Sequence, residues 1–260
     1  MQVGAMNFPG RSVAKEIHRI AEDNFDFIDL TLEPPAAWLP DGKEVGRLIG
    51  DLGLNAVGHT AYYLPIASPF KELKATAFDL YKRALDCFAD AGVELVNLHP
   101  DNRVPLHGPD RMRARNADAI SELAGLAAAR DIRLMVENID RGFARVADFI
   151  PIFERAPETG FHLDVAHANL RLGLGQRNHT QAFLDAFSDR LCHVHVSDNR
   201  GGEGDLHLPL GTGNIDWRAI VRALKRSGYD GTVTLEVFSR ERDYLRTSRR
   251  LWIEWWSEDG

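Results

Sequence analysis

The stretch GFHLDVAH, residues 160–167, places Asp164 at the end of a short apolar run and His167 three residues later. Similar runs ending in acidic or imidazole side chains are AVGHT (56–60), LVNLHPD (95–101), RLMVEN (133–138), LCHVHVSD (191–198) and VTLEVF (233–238). The carboxyl ends of the strands in a parallel β/α barrel converge on one mouth. The series therefore favours a barrel that carries a metal-type site at its mouth.

Strand and helix patterns alternate along the whole chain. The candidate strands are QVGAM, FDFIDL, LNAVGH, ELVNLH, IRLMVE, GFHLDV, LCHVHV and GTVTLE. A helical pattern follows each of them, at 12–23, 43–52, 71–91, 109–130, 146–155, 180–187, 215–227 and 242–256. Eight apolar strands alternating with eight helices predict a single (β/α)8 TIM barrel that forms one domain over residues 1–260. The longest and most polar loops, 101–109 and 197–214, follow strands and should belong to the mouth.

The bulk properties argue against several classes of protein. A net charge of −7 gives no general attraction to nucleic acid or to an anionic membrane, although a local basic patch would still permit a nucleic-acid substrate. No apolar run reaches the ~18 residues of a spanning helix, and the first residues lack the basic and apolar segments of a secretory leader. With only two cysteines, these features predict a cytoplasmic protein in a reducing compartment.

Four of the strand-end side chains form the predicted metal set: Glu137, Asp164, His195 and Glu236, at the ends of strands five to eight. One such residue alone is usually a satisfied polar group or part of an ion pair. Four at matching positions favour a shared divalent ion, and the mixture of carboxylate and imidazole suits Mn²⁺, Co²⁺ or Zn²⁺.

A second group of polar side chains is expected beside this set: His59, His99, His167, Asp205 and His207. These residues either orient a substrate hydroxyl or phosphate, or bind additional metal ions, and the sequence leaves both alternatives open. His162 and His193 lie two residues before Asp164 and His195, so each shares a strand face with the later residue and should lie deeper in the barrel.

Several other residues near the predicted mouth have two possible roles each. Arg200 could bind a phosphate or sugar oxygen, or be a solvated loop cation. The aromatic residues Trp38, Tyr62 and Tyr63 could form the apolar wall of a sugar site, or be loop packing. The tryptophans of the last helix could pack on the barrel or form the contact of a homo-oligomer: Trp252, Trp255 and Trp256.

Taken together, the motifs LMVEN, LDVAH, HVHVSDN, DLHLPLGTGNIDW and TLEVF resemble the xylose isomerase-like barrel superfamily over nearly the whole chain. That group includes sugar phosphate isomerases, ketose 3-epimerases and endonuclease IV. The resemblance to the epimerases implies one ion held by the four strand-end residues, and proton exchange by Glu137 and Glu236. It also implies that His167 and a loop arginine hold the sugar. Arg200 is near the expected place of that arginine, but its spacing is one residue short.

We therefore expect a divalent-metal sugar or sugar-phosphate isomerase or epimerase that moves protons through an enediolate. Similarity to endonuclease IV implies a different activity, in which nine ligands bind three zinc ions and cleave DNA at abasic sites. All nine residue types have counterparts here, although no loop rich in basic and aromatic residues is present to grip a bent duplex. A metal-dependent lyase or dehydratase acting on a polyol or keto acid is a further alternative.

Overall fold

The computed structural model describes residues 1–103, 108–139, 141–171 and 178–258. Its eight strands are parallel and hydrogen-bonded in chain order, and β1 pairs with β8 to close the barrel. This confirms the predicted TIM barrel. Residues 104–107 of the expected mouth loop 101–109 lie outside the described residues. No helix in the described ranges is long and apolar enough to cross a membrane.

The strands are β1 (Gln2–Met6), β2 (Phe27–Leu32), β3 (Asn55–Thr60), β4 (Leu95–Leu98), β5 (Arg133–Glu137), β6 (Gly160–Asp164), β7 (Leu191–Val196) and β8 (Thr232–Leu235). The α-helices are α1 (Val13–Glu22), α2 (Gly42–Asp51), α3 (Lys71–Asp90), α4 (Pro109–Ala128), α5 (Val146–Arg155), α6 (Thr180–Phe187), α7 (Trp217–Arg226) and α8 (Arg242–Glu258). A 3₁₀ turn at His167–Asn169 follows β6, and another at Ser188–Arg190 precedes β7.

The second strand starts two residues later than FDFIDL predicts, at Phe27. The preceding residue, Asp26, belongs to the turn that enters the barrel, where its side-chain Oδ2 accepts the Val3 N–H at 2.7 Å. The strand consequently continues through Thr31 and Leu32, and Asp29 lies inside it rather than next to its end.

The barrel interior has an apolar floor below a polar mouth. Phe27, Val57 and Met135 form a small buried cluster that is separate from the main hydrophobic core. Residues two apart on a strand point to the same face, so each of these apolar residues is followed by a polar one on the inside. Those polar residues are Asp29, His59 and Glu137, all buried. Strand pleating alone therefore raises three polar groups above the apolar floor.

The outer core is held on one side by a phenylalanine cluster centred on Phe149 of α5. Its ring is fully buried and lies with centroid distances of 5.4–6.1 Å from five others, Phe143, Phe153, Phe161, Phe183 and Phe187. Through these contacts α5 and α6 pack on the outside of β6, the strand that ends in Asp164. The cluster thus fixes the position of one predicted metal ligand.

The tryptophans of α8 mostly pack against their own chain. Trp252 is fully buried and Trp255 is 7% exposed, and the ring of Trp255 stacks on that of Trp217 in α7 at 6.4 Å. These two residues offer no surface to a partner subunit. A homo-oligomer remains a prediction without support from them.

We expect Phe149→Ala to lower the free energy of unfolding by about 3–5 kcal/mol, because it opens a cavity among the five remaining aromatic rings. Chemical denaturation followed by circular dichroism measures the change. Ile150→Ala is the matched control, since Ile150 is the next residue of the same helix and is 43% exposed. A loss for Phe149→Ala no larger than that for Ile150→Ala would contradict the assigned role of the cluster.

Candidate metal centre

The four predicted metal ligands lie at neighbouring positions of the barrel mouth. Glu137 and Asp164 are the last residues of β5 and β6, His195 is the second-last residue of β7, and Glu236 directly follows β8. All four are buried, from fully buried His195 to 8% exposure for Glu236. Asp164 and His195 also lie opposite each other in the β6–β7 register, so two of the predicted ligands are direct cross-strand neighbours.

Two overlapping groups of ligand atoms have the spacing of a metal site. One atom each from Asp164, His195 and Glu236 lie within 4.8 Å of one another, and the same holds for Glu137, Asp164 and His167. Asp164 belongs to both groups and therefore links them. A further group joins Glu137 and His195 with His59, and every predicted ligand shares at least one candidate group with Asp164.

The imidazole of His195 is oriented by Asp29 from below. Its Nε2 lies 2.7 Å from Asp29 Oδ2, and the same oxygen accepts a hydrogen bond from the Thr234 hydroxyl at 2.9 Å. Nε2 faces this carboxylate, so Nδ1, which lies 3.4 Å from Glu236 Oε2, is the ring nitrogen that would bind a metal ion. A carboxylate that fixes the tautomer in this way is typical of metal-ligating histidines.

Glu137 is surrounded by nitrogen atoms. The Asn97 amide donates to its Oε2 at 2.6 Å, and His99 Nε2 and His162 Nδ1 lie 3.1 and 3.2 Å from the same oxygen. Its other oxygen lies 3.3 Å from His167 Nδ1. Burial by itself would raise the pKa of Glu137, but His99 and His162 together hold it well below its ordinary value.

The negative charges of the neighbouring carboxylates also repel one another. Burial raises the pKa of Asp164 to about 7; His167 works against this rise, whereas the charges of Glu236 and Glu137 add to it. For Glu236, burial acts upward, but His207 and His195 lower the pKa below its usual value. Three buried carboxylates so close together are the environment that a cation stabilises.

Two buried atoms without hydrogen-bond partners point to the same place. His195 Nδ1 and Glu236 Oε2 are both shielded from water and have no such partner among the described residues. A buried polar atom without a partner is costly, and both are good ligands for a divalent transition metal. The residues therefore fit the ion that the sequence predicts.

The predicted second group lies beside these residues. Asp205 Oδ2 is 3.1 Å from His167 Nε2 and 3.0 Å from His207 Nε2, so one carboxylate bridges two imidazoles. The other ring nitrogen of each histidine lies near a backbone carbonyl oxygen. His167 Nδ1 is 2.9 Å from that of Asn138, and His207 Nδ1 is 3.2 Å from that of Glu236. Burial opposes the charged form of His207, yet Glu236 and Asp205 raise its pKa to about 9.

The loop after β7 is folded back over the mouth by Asp198. Its backbone exchanges two hydrogen bonds with Leu208, both at 2.9 Å, and its Oδ2 accepts from Gly211 N at 2.9 Å and Trp217 Nε1 at 3.0 Å. Gly213 passes so close to Asp198 that a Cβ there would collide with it. These contacts position Asp205 and His207 above the centre.

A cavity of about 840 Å³ opens above the centre and is lined by loops from all eight strands. Its wall includes Glu137, His167, Glu236 and the predicted substrate-binding residues His59, His99 and Tyr62. Trp38 and Arg200 lie outside this described lining. Trp38 packs against the hydrophobic core and Arg200 is exposed.

Sequence reasoning did not single out four residues that shape the site: Asp29, Glu33, Asn97 and Asp198. Asp29 and Asn97 do carry a signal, since each is a polar residue within an otherwise apolar strand. Such a residue is buried and needs a partner. Glu33 directly follows β2 as Glu236 follows β8, but the predicted strand FDFIDL ends at Leu30, so this strand-end position was not recognised. Asp198 lies two residues beyond the end of β7, in the loop, where polar residues are common.

The chain matches the family model for the xylose isomerase-like TIM barrel over residues 17–255, and it belongs to this family. The L-ribulose 3-epimerase of Methylomonas sp. (strain DH-1) is 28% identical over 241 residues, 87% of this chain and 79% of that protein. The L-ribulose-5-phosphate 3-epimerase UlaE of Salmonella paratyphi A is 25% identical over 239 residues, 83% and 78% of the two chains. The solved structure of a D-tagatose 3-epimerase-like protein gives a TM-score of 0.85 at 23% identity and covers 100% of this chain and 99% of its own.

We expect Asp29→Asn to weaken Mn²⁺ binding about 10–100-fold, because the substitution removes the charge that orients and polarises His195. Isothermal titration calorimetry on metal-free protein measures the affinity directly. Asp26→Asn is the control, since it removes a carboxylate from the entry to the same strand, far from His195. Wild-type affinity in a folded Asp29→Asn protein would show that Asp29 does not act on the ligand.

Proposed function

We propose that the protein is a divalent-metal-dependent epimerase of ketoses or their phosphates. The observation that carries the proposal is the placement of two glutamates on either side of one ligand group. Glu137 ends β5 and Glu236 directly follows β8, with Asp164 of β6 and His195 of β7 between them, and both glutamates line the cavity. The names of the related proteins, which are sugar 3-epimerases, support the same reaction class.

The proposed metal ligands are Glu137, Asp164, His195 and Glu236. When bound, the ion supplies Lewis-acid charge beside the substrate carbonyl and its neighbouring hydroxyl, which makes the adjacent C–H more acidic. Mn²⁺, Co²⁺ and Zn²⁺ all accept this mixture of carboxylate and imidazole.

The two glutamates carry the proposed proton transfers. Nearby histidines lower the pKa of each below its ordinary value despite burial, which favours the ionised form that can act as a base. One glutamate accepts the proton from the substrate C–H, which leaves an enediolate. The other glutamate takes up a proton from solvent and delivers it to the opposite side, so that the stereocentre inverts, and the first glutamate then releases its proton to solvent.

His59, His99 and His167 complete the pocket for the substrate oxygens. His59 Nε2 and His99 Nε2 lie 3.9 and 3.1 Å from Glu137 Oε2, so they orient this carboxylate and also face the cavity. Burial, reinforced by the nearby His99, lowers the pKa of His59 to about 4, so His59 is neutral and acts by hydrogen bonding.

Glu137→Gln and Glu236→Gln should each reduce kcat for epimerisation by at least ~10²-fold, because each removes a proton-transfer group. The assay incubates metal-loaded protein with a panel of ketopentoses and ketohexoses and separates the epimers by chromatography. In D₂O, each wild-type turnover should also introduce solvent deuterium at the inverted carbon.

The metal content of each variant is measured by mass spectrometry before the assay, so that lost turnover is not confused with lost metal. Glu122→Gln, on the outer surface of α4, is the control for a change of charge. A metal-loaded Glu137 or Glu236 variant with near-normal rates would contradict the proton-transfer roles.

One observation favours endonuclease activity as a second candidate. The structure brings together all nine residues expected for a three-zinc nuclease: His59, His99, Glu137, Asp164, His167, His195, Asp205, His207 and Glu236. The −7 net charge and the acidic cavity wall oppose a duplex substrate. We expect one ion per chain and no nicking of a duplex with a single abasic site. Three zinc ions per chain and a nicked strand would instead support the endonuclease over the epimerase.

A further inference from the structure

The wall of the cavity away from the proposed metal ligands is apolar and aromatic. It is formed by Phe8, Pro9, Pro34, Pro35, Tyr62 and Phe238. Phe8 and Phe238 are about half exposed to the open cavity, and Tyr62 is 62% exposed. Such a surface packs against the C–H faces of a carbon chain and supplies few hydrogen-bond donors for an anion.

The charged residues of the described lining are mainly acidic. Glu33 and Asp205 join the two glutamates of the centre, and Arg103 is the one arginine or lysine among the described lining residues. The histidines of the lining lie beside the carboxylates of the metal centre, and two of them, His167 and His207, both contact Asp205.

Arg103 is itself occupied by neighbouring groups. Its Nε donates to Asp101 Oδ1 at 3.1 Å, and its Nη2 donates to the carbonyls of Tyr62 and Leu64 at 3.3 and 3.1 Å. Asp101 is buried and also accepts the Ala67 N–H at 3.1 Å. Arg103 therefore ties the loops after β3 and β4 together, and Asp101 neutralises its charge.

Glu33 is the carboxylate of this wall that no part of the metal centre uses. It follows β2 directly and lies next to the phenol of Tyr63. Partial burial raises its pKa, and Tyr63 and His99 act in the opposite direction. A half-buried carboxylate in a sugar pocket accepts hydrogen bonds from hydroxyl groups and repels a phosphate dianion.

We propose that this site selects a ketose without a phosphate group, and that Glu33 is the residue that determines this specificity. The inference rests on the proposed epimerase function and narrows its substrate class. A phosphate group would need several donors or cations at the far end of the substrate. Away from the histidines of the metal centre, the described wall instead offers aromatic rings, prolines, a carboxylate and an arginine that is paired with Asp101.

The test compares one ketose with its own terminal phosphate, for example ribulose with ribulose 5-phosphate and fructose with fructose 6-phosphate. Metal-loaded wild-type protein should show a kcat/KM at least about tenfold higher for the free sugar, because like charges oppose the phosphate in the site. Glu33→Gln keeps the size of the side chain but removes its charge. This substitution should reduce the ratio of kcat/KM for the free sugar to kcat/KM for the phosphate, mainly by lowering KM for the phosphate. Glu44→Gln, an exposed carboxylate on α2, is the control and should leave the ratio unchanged.

Each other result overturns a defined part of the proposal. Equal or better turnover of the phosphate overturns the substrate class but leaves the epimerase function intact. A preference for the free sugar that is the same in Glu33→Gln overturns the role of Glu33. A lack of epimerisation with every free sugar and every phosphate overturns the proposed function and this inference together.

Discussion

Three carboxylates lie buried within one ring of histidines at the barrel mouth, and the site depends on how their charges are compensated. Glu137, Asp164 and Glu236 are each at most 8% exposed. Burying an ionised carboxylate is expensive unless it has a partner of opposite charge. Nearby histidines lower the pKa of Glu137 and Glu236 against the effect of burial. Burial raises the pKa of Asp164 to about 7, and the charges of the two glutamates add to the rise. A divalent cation beside Asp164 would stabilise the ionised form of all three.

The barrel architecture supplies the supporting layer for this centre. Strand pleating places Asp29 beneath His195, and the neighbouring strand β4 brings Asn97 to Glu137. The strands and their ends thus position the proposed ligands, while the loops that carry Glu33, Tyr62 and Asp205 shape the cavity above them. In a TIM barrel, loops can vary without disturbing residues that the strands hold in place.

Much of the fold and centre could be predicted from the sequence, because position along a parallel strand determines position in the barrel. Asp164 and Glu236 follow apolar runs, and that alone places them at the mouth. Asp29 was harder to find, because its role depends on the pairing of β1 and β8, which closes the barrel and brings β2 close to β7 across the interior. Trp38 and Arg200 could not be placed, since the direction of a loop is set by tertiary contacts such as those of Asp198. The role proposed for Glu33 likewise depends on which loops together form the cavity wall, and the sequence alone does not determine this.

The location of a bound ion tests the central claim most directly. Crystals of the metal-free protein soaked in Mn²⁺ would be measured at a wavelength at which manganese scatters anomalously. We expect one strong anomalous peak per chain, within bonding distance of Glu137, Asp164, His195 Nδ1 and Glu236. A peak bound elsewhere, or full occupancy at a site that leaves two or more of these side chains uncoordinated, would contradict this claim.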